Sequence, residues 1–455
     1  MLRSDFNAFT LYQQNDFDNV ELVSVGEYAS IFKVDQTTEG EVSPKIIRVI
    51  EKTKSYFSLK REKDLLRYFN QFKEDFPAFH EIRKSSCYYL QIFDYYQPVT
   101  LNSMIESKGS LSSYSVLKLL SNVISTLQKA HDVGFVHTDI RPENIVYDHR
   151  FYLTGWSQAI PSYSSFETEL IMGDKLYCPP ERMNGNYIQS GDIYSLGCVL
   201  YFALTGQHIF GLDRNQDTFQ QLYAQSQFYP VKNDKIADSW FELICWMTEK
   251  EQADRPSLEE LTQWLVDKKV PNKLGKLAFN DDVKKQIIPK NTLDILCGKN
   301  YFYAMFKKAL ILEDEGKEEE ALILIKKAAF SGYSRAQARL GEFYEKGTLL
   351  KQSHLKALNY YHQAYEKGNP YATFRLAEMF EKGLEVELDI KKAFLLYKFA
   401  ALRGISSSQN RLGEFYEQGL ASIQNYSQAN FWFNIAALNG NNNAQRNIIR
   451  LNACD

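Results

Sequence analysis

At 455 residues the chain exceeds the roughly 100 to 200 of an ordinary domain, so two or three domains are expected. A composition 44% hydrophobic, 24% charged and 14% aromatic excludes a disordered or fibrous chain. The net charge of −3, from 53 basic and 56 acidic residues, gives no global attraction to nucleic acid or to an anionic membrane, and neither is expected as a partner.

Residues 1–15 read as an N-terminal extension whose acids and amides stand where a signal peptide would carry its apolar stretch. The stretches that carry information then follow in order: "SVGEYASIF" from Ser24, "PKIIRVIEK" from Pro44, "REKDLLRYF" from Arg61 and "LQIFDYY" from Leu90. "HTDIRPEN" begins at His137, and "IVYDHRFYLTGWSQA" follows it as a short hairpin. "YCPPERM" from Tyr177, "GDIYSLGCVLYFALTG" from Gly191 and "ADRPSLEEL" from Ala253 complete the set. The 13-residue apolar run at 194–206 is shorter than the roughly 18 residues a membrane span requires, so it is expected to be a buried helix and no membrane insertion is expected. The six cysteines are scattered without a close pair, which suits neither a zinc site nor a disulfide framework and indicates a reducing, cytoplasmic compartment.

These stretches, in this order, resemble the protein kinase fold over residues 16–265. The resemblance implies that His137 packs beneath the site, that Asp139 orients or deprotonates an acceptor hydroxyl and that Asn144 holds a metal. It makes Glu181 and Arg255 an architectural ion pair and places Asp192 on the central buried helix. In the amino-terminal part it assigns nucleotide contacts to Gly26, Arg48, Glu62, Asp94 and Tyr96, with Phe93 at the entrance of the hinge.

The departures from the family pattern fall at the phosphate end. Ser24 and Ala29 replace two of three glycines and leave Gly26. Arg48 stands where the family has lysine, which keeps the charge without the compact head. Ile46 replaces the small alanine beneath the adenine, an overpacking of about 1 to 3 kcal/mol. Gly155 falls where the family has its metal-binding aspartate, and residues 149–166 contain no Asp or Glu at all. Trp156 keeps the aromatic packing role of the next position. Thr138, where regulated kinases have arginine, argues against control by a phosphorylated activation loop. Asp174 is expected to pair with Arg141 over the catalytic loop.

Residues 266–299, rich in lysine, read as a basic linker. Beyond it a period of 36 appears: Gly332, Gly368, Gly404 and Gly440 form one series, and Ala321, Ala357, Ala393 and Ala429 another. Ala328, Ala364, Ala400 and Ala436 form a third, while Gly347, Gly383 and Gly419 close "LGEFYEKG", "LAEMFEKG" and "LGEFYEQG". Small alanines let paired helices approach and glycines end them, so the segment 300–455 is expected to be an array of helix pairs with a C-terminal cap. These series resemble the Sel-one-like repeats, relatives of the tetratricopeptide family, which implies a solenoid with an extended protein-binding surface.

The expected fold class is therefore an α+β bilobal protein kinase-like fold followed by an all-α helical-repeat solenoid. The expected function is a catalytically impaired kinase-like scaffold that takes a protein partner on the array and needs no cofactor. The alternative is an active atypical Ser/Thr protein kinase, or another kinase-fold transferase, using Asp139 and Asn144 with ATP and magnesium. Kinase and repeat modules in a chain rich in lysine, asparagine and isoleucine also fit a bacterial effector secreted into a host cell cytosol.

Overall fold

The computed structural model describes residues 17–25, 29–38, 41–51, 56–84, 88–96, 99–161, 173–270 and 286–452. Two compact units divide them: one draws on residues 1–99, 146–157 and 400–455, the other on 100–145 and 158–399.

In the first unit, β1 (Phe17–Val25), β2 (Ala29–Thr38), β3 (Glu41–Glu51), β4 (Phe79–Lys84) and β5 (Tyr88–Asp94) form one antiparallel sheet in the order β1-β2-β3-β5-β4. Alternation sends Phe32, Val34, Ile47, Val49, Leu90 and Ile92 to a common buried face. Ile46 and Arg48, two residues apart on β3, lie on the opposite face. In the pairing with β5, Ile46 stands opposite Phe93 and Arg48 opposite Gln91. Helix α1 (Tyr56–Phe69) buries Glu62, Leu65, Leu66 and Phe69. Two short strands, β6 (Ile145–Tyr147) and β7 (Phe151–Leu153), make the expected hairpin.

The second unit is helical. After α2 (Leu101–Lys108) and α3 (Ser113–Asp132), α4 (Gln189–Thr205) is buried from Gly191 to Thr205, as the apolar run predicts. Helices α5 (Thr218–Gln227), α6 (Asp238–Met247) and α7 (Leu258–Asp267) follow. Among the described residues no helix is long and apolar enough to cross a membrane.

The segment read as a linker contains α8 (Thr292–Gly298), whose Leu296 and Cys297 are buried. With α9 (Phe302–Asp314), α10 (Glu318–Phe330) and α11 (Ser334–Lys346) it shares one apolar core with Cys178, Met183 and Leu222. The backbone N–H of Phe302 donates to Asn184 Oδ1 at 3.1 Å across this junction. The start of the array is therefore continuous with the helical part of the first domain rather than suspended beyond a connector.

The repeats continue as α12 (His354–Glu366), α13 (Pro370–Lys382), α14 (Ile390–Leu402), α15 (Ser406–Gln418) and α16 (Tyr426–Leu438), and α17 (Asn442–Asn452) follows them. Close approach is enforced by small residues: a Cβ at Gly341 would lie 2.8 Å from the ring of Tyr361. The same period of 36 sets a polar ladder. The Tyr361 hydroxyl donates to Glu345 at 2.6 Å, and that of Tyr397 to Glu381 at 2.6 Å. At the next step Phe433 has no hydroxyl, and Glu417 instead pairs with Arg450 of α17.

Candidate functional site

The residues that carry the kinase chemistry in the sequence reading fall in both units, and each cluster has its own geometry. In the sheet, Arg48 projects from β3 toward α1. Its Nη1 donates to Glu62 Oε1 at 2.7 Å and to Gln91 Oε1 at 3.0 Å, and its Nη2 donates to Ser157 Oγ at 3.1 Å. Gln91 Nε2 donates in turn to Glu62 Oε2 at 2.9 Å, so both carboxylate oxygens are engaged. Glu62 is 2% and Gln91 0% exposed, and a buried carboxylate held in this way is a closed, satisfied network.

Ile46, on the same face of β3, is 1% exposed. Asp94 turns its side chain to the surface, where Lys45 Nζ at 2.8 Å and His80 Nε2 at 2.6 Å bind it. Burial acts to raise the Asp94 carboxyl, but these hydrogen bonds outweigh it and hold the group below its ordinary range. Burial pushes the Tyr96 phenol up to about 12, against the pull of the Arg48 charge. Gly26 lies outside the described residues.

The hairpin ends in Gly155, at φ +82°, followed by Trp156. The indole is 3% exposed, packs on Phe69 and Phe76 at centroid distances of 4.8 and 5.8 Å, and donates its N–H to Leu153 O at 3.0 Å. Arg150 ties the same hairpin to Asp75 at 3.0 Å.

In the helical unit, Asp139 is 9% exposed, and its Oδ2 accepts from Asn144 Nδ2 at 2.8 Å. His137 is fully buried beneath, and its Nδ1 accepts from the Asp139 backbone N–H at 3.2 Å. Thr138 sits at φ +68°, an uncommon conformation for a β-branched residue. It is held by Asp192, whose oxygens accept from the backbone N–H groups of His137 at 2.8 Å and Thr138 at 3.0 Å. The Thr138 hydroxyl donates to Gln158 O at 2.9 Å. Burial works to raise Asp192, but the His131 hydrogen bond and the nearby cationic groups lower it further than burial raises it. Arg255 grips Glu181 through both guanidinium arms, at 2.7 and 2.8 Å. Arg141 lies 3.9 Å from Asp174, the pairing that the sequence indicates.

Asn144 gives its amide N–H to Asp139, and Gly155 has no side chain to ligate a metal; among the described residues no three His, Cys, Asp or Glu side chains cluster to hold an ion. Sequence reasoning missed Gln91, Ser157 and Arg214. The first two complete the Arg48 network, and Arg214 pairs with Glu143. For Gln91 the signal was present: an amide inside an otherwise apolar strand must find buried partners.

The protein kinase domain model matches residues 17–265. The chain belongs to the protein kinase family. The Sel1 repeat model matches residues 334–369, 370–405 and 406–441, in the phase of the glycine and alanine series. Among curated proteins, the calcium-dependent protein kinase 5 of Plasmodium falciparum is 23% identical over 58% of this chain and 47% of its own length. The serine/threonine-protein kinase PknL of Mycobacterium tuberculosis is 30% identical over 34% of this chain and 41% of its own. For PrkC of Bacillus subtilis the values are 25%, 52% and 38%. The chain thus spans less than half the length of each of these relatives. It joins a kinase domain related to Ser/Thr kinases to repeats of a class that mediates protein–protein contacts.

Proposed function

We propose that the protein is a pseudokinase scaffold, in which the kinase domain supplies a stable platform without phosphoryl transfer and the repeat array holds a partner protein. The observation that carries this reading is Gly155, which has no side chain where the family has its metal-binding aspartate, because phosphoryl transfer depends on metal placement around the phosphates. The buried Ile46 supports it. The Arg48–Glu62 ion pair at 2.7 Å is one that working kinases also make and does not decide the question. No cofactor is assigned to this function.

The site of action we propose is a reducing cytoplasm, consistent with the free thiols of Cys178, Cys198, Cys245 and Cys297. Delivery into a host cytosol as a secreted bacterial effector is the extension of this reading that the lysine, asparagine and isoleucine content and the pairing of kinase and repeat modules support.

One observation favours a second reading, an atypical Ser/Thr kinase or other kinase-fold transferase: Asp139 and Asn144 keep their mutual hydrogen bond on a well-buried loop. Thermal unfolding of the full chain with millimolar ATP, with and without magnesium, separates the two. A nucleotide at a hundred times its dissociation constant would add about 2.7 kcal/mol. No shift is expected. A clear shift, or phosphate transfer that Asp139→Asn abolishes, would establish the second reading instead.

A further inference from the structure

Three helices of the array carry a cation at one fixed place. Lys307, Arg339 and Arg375 are each the sixth residue of their helices, α9, α11 and α13. Arg339 reaches Glu313 of α9 at 2.9 Å and Glu342, three residues on, at 2.6 Å. Arg375 repeats this on α13: its Nε donates to Glu345 of α11 at 3.0 Å, and it pairs with Glu378, again three residues on. Each arginine thus holds two carboxylates, one from an earlier helix and one from the next turn of its own.

The rung at Lys307 has neither. Three residues on stands Leu310, and the one acid of α8, Asp294, is taken by Lys308 at 2.5 Å. Asp314, the next acid along that face of α9, is two turns away, about 10 Å. Beside the open rung lies a second cation, Arg335, in the first turn of α11. Its Nη1 is buried and has no hydrogen-bond partner among the described residues. Burial and the Arg335 charge both hold the Lys307 ammonium below its ordinary range. Around this point Lys307, Arg335, Arg339 and Lys346 face two acids, Glu313 and Glu342, and Arg339 and Lys346 already hold both.

The two cations are nonetheless held in place. Lys307 Nζ lies 5.7 Å from the ring centroid of Tyr303, and the Arg335 guanidinium 5.4 Å from that of Phe306; both rings are buried. Two neighbouring like charges repel, a cation in the first turn opposes the helix dipole, and a buried donor without an acceptor is costly. A bound anion relieves all three.

We infer that Lys307 and Arg335 form a receptor for a side-chain carboxylate of an acidic segment on a partner protein, which completes the open rung as Glu342 and Glu378 complete the next two. Carboxylate is the anion that the array itself places on this position. The inference rests on the reading that the array holds a partner, and it assigns the place and the chemistry of the contact. With a net charge of −3 the chain has no general attraction for a polyanion, so such binding is local.

The test is fluorescence anisotropy of labelled hexa-glutamate, with hexa-glutamine as the neutral control, against the full chain without nucleotide. Saturable binding of hexa-glutamate alone is expected. Lys307→Gln with Arg335→Gln removes two charged donors and is expected to weaken it at least about tenfold. Lys346→Gln with Lys382→Gln removes the same charge from lysines that already have acids, and is expected to change it less than about threefold. Leu310→Glu supplies the missing carboxylate from within. If that carboxylate fills the rung about nine-tenths of the time, apparent affinity falls about tenfold relative to Leu310→Gln. The assignment is overturned by hexa-glutamate that fails to bind, by an equal loss in the two double variants, or by equal binding to folded Leu310→Glu and Leu310→Gln proteins. Lys307→Gln alone relieves the repulsion with Arg335 and keeps the experiment decisive should the double variant misfold. An equal loss would place the acidic segment elsewhere on the chain and leave the scaffold reading standing, which the response to ATP judges separately.

Discussion

The two buried ionic clusters of the kinase domain differ in what they keep. Around α4, Glu181 with Arg255 and Asp192 with the His137 and Thr138 backbone retain the residues that the family resemblance leads one to expect, and each charge has its partner. In the sheet, the residue types have changed at the phosphate-binding position and after the hairpin, yet the cluster is as fully satisfied, with Arg48, Glu62, Gln91 and Ser157 serving one another. The lesson is energetic. A buried charge must be paired whether or not it works on a substrate, so complete hydrogen bonding does not by itself separate a chemical role from an internal one.

The largest test of this comparison is Arg255→Met. It leaves the Glu181 carboxylate, 10% exposed on its side chain, without its two-armed partner, and breaking a buried pair from one side costs about 3 to 5 kcal/mol. Chemical denaturation is expected to show a loss of that size, and a Glu181→Leu, Arg255→Met double variant should recover much of it. A loss under about 1 kcal/mol would mean that water reaches Glu181 freely and that the pair is not architectural.

Arg48→Met comes next and sharpens the contrast. If Arg48 serves the fold, its removal strands Glu62 and Gln91 and costs about 1 to 3 kcal/mol in the absence of any nucleotide. A free protein that barely responds would mean that water reaches Glu62 and that the network does not support the fold. Arg48→Lys is expected to fall between the two, since an ammonium on a flexible stem reaches Glu62 but does not reproduce the planar contacts to Gln91 and Ser157.

What the sequence made legible was local or periodic. The array declared itself through glycine and alanine at a fixed spacing, and the Glu181, Asp192 and Arg255 positions lie in stretches long enough to recognise. The Arg48 network was not legible, because Gln91 and Ser157 are 43 and 109 residues from Arg48 and meet it only when β3 pairs with β5 and the hairpin closes. The junction between the array and the helical unit was hidden for another reason. Lysine content made residues 266–299 read as a connector, while the few apolar side chains that matter, Leu296 and Cys297, form only one short helix face. The polar ladder of Glu345, Tyr361, Glu381 and Tyr397 repeats at the same 36-residue spacing and lay within reach of that search.

The smallest effect is expected from restoring the missing acid. Gly155→Asp places a carboxylate where the family has its metal ligand, so on a one-residue view of the lost chemistry it should confer magnesium-dependent ATP binding. One feature argues that it does not: Ile46 remains buried on the face of β3 that the adenine would need. The substitution also meets a backbone at φ +82°, where a side chain costs about 1 to 2 kcal/mol, so the melting midpoint should fall slightly. The expected record is that small fall and no response to ATP and magnesium. A midpoint that rises with ATP and magnesium in Gly155→Asp would show that one carboxylate was all that separated the sheet cluster from a working nucleotide site, and the contrast between the two clusters would reduce to a single residue.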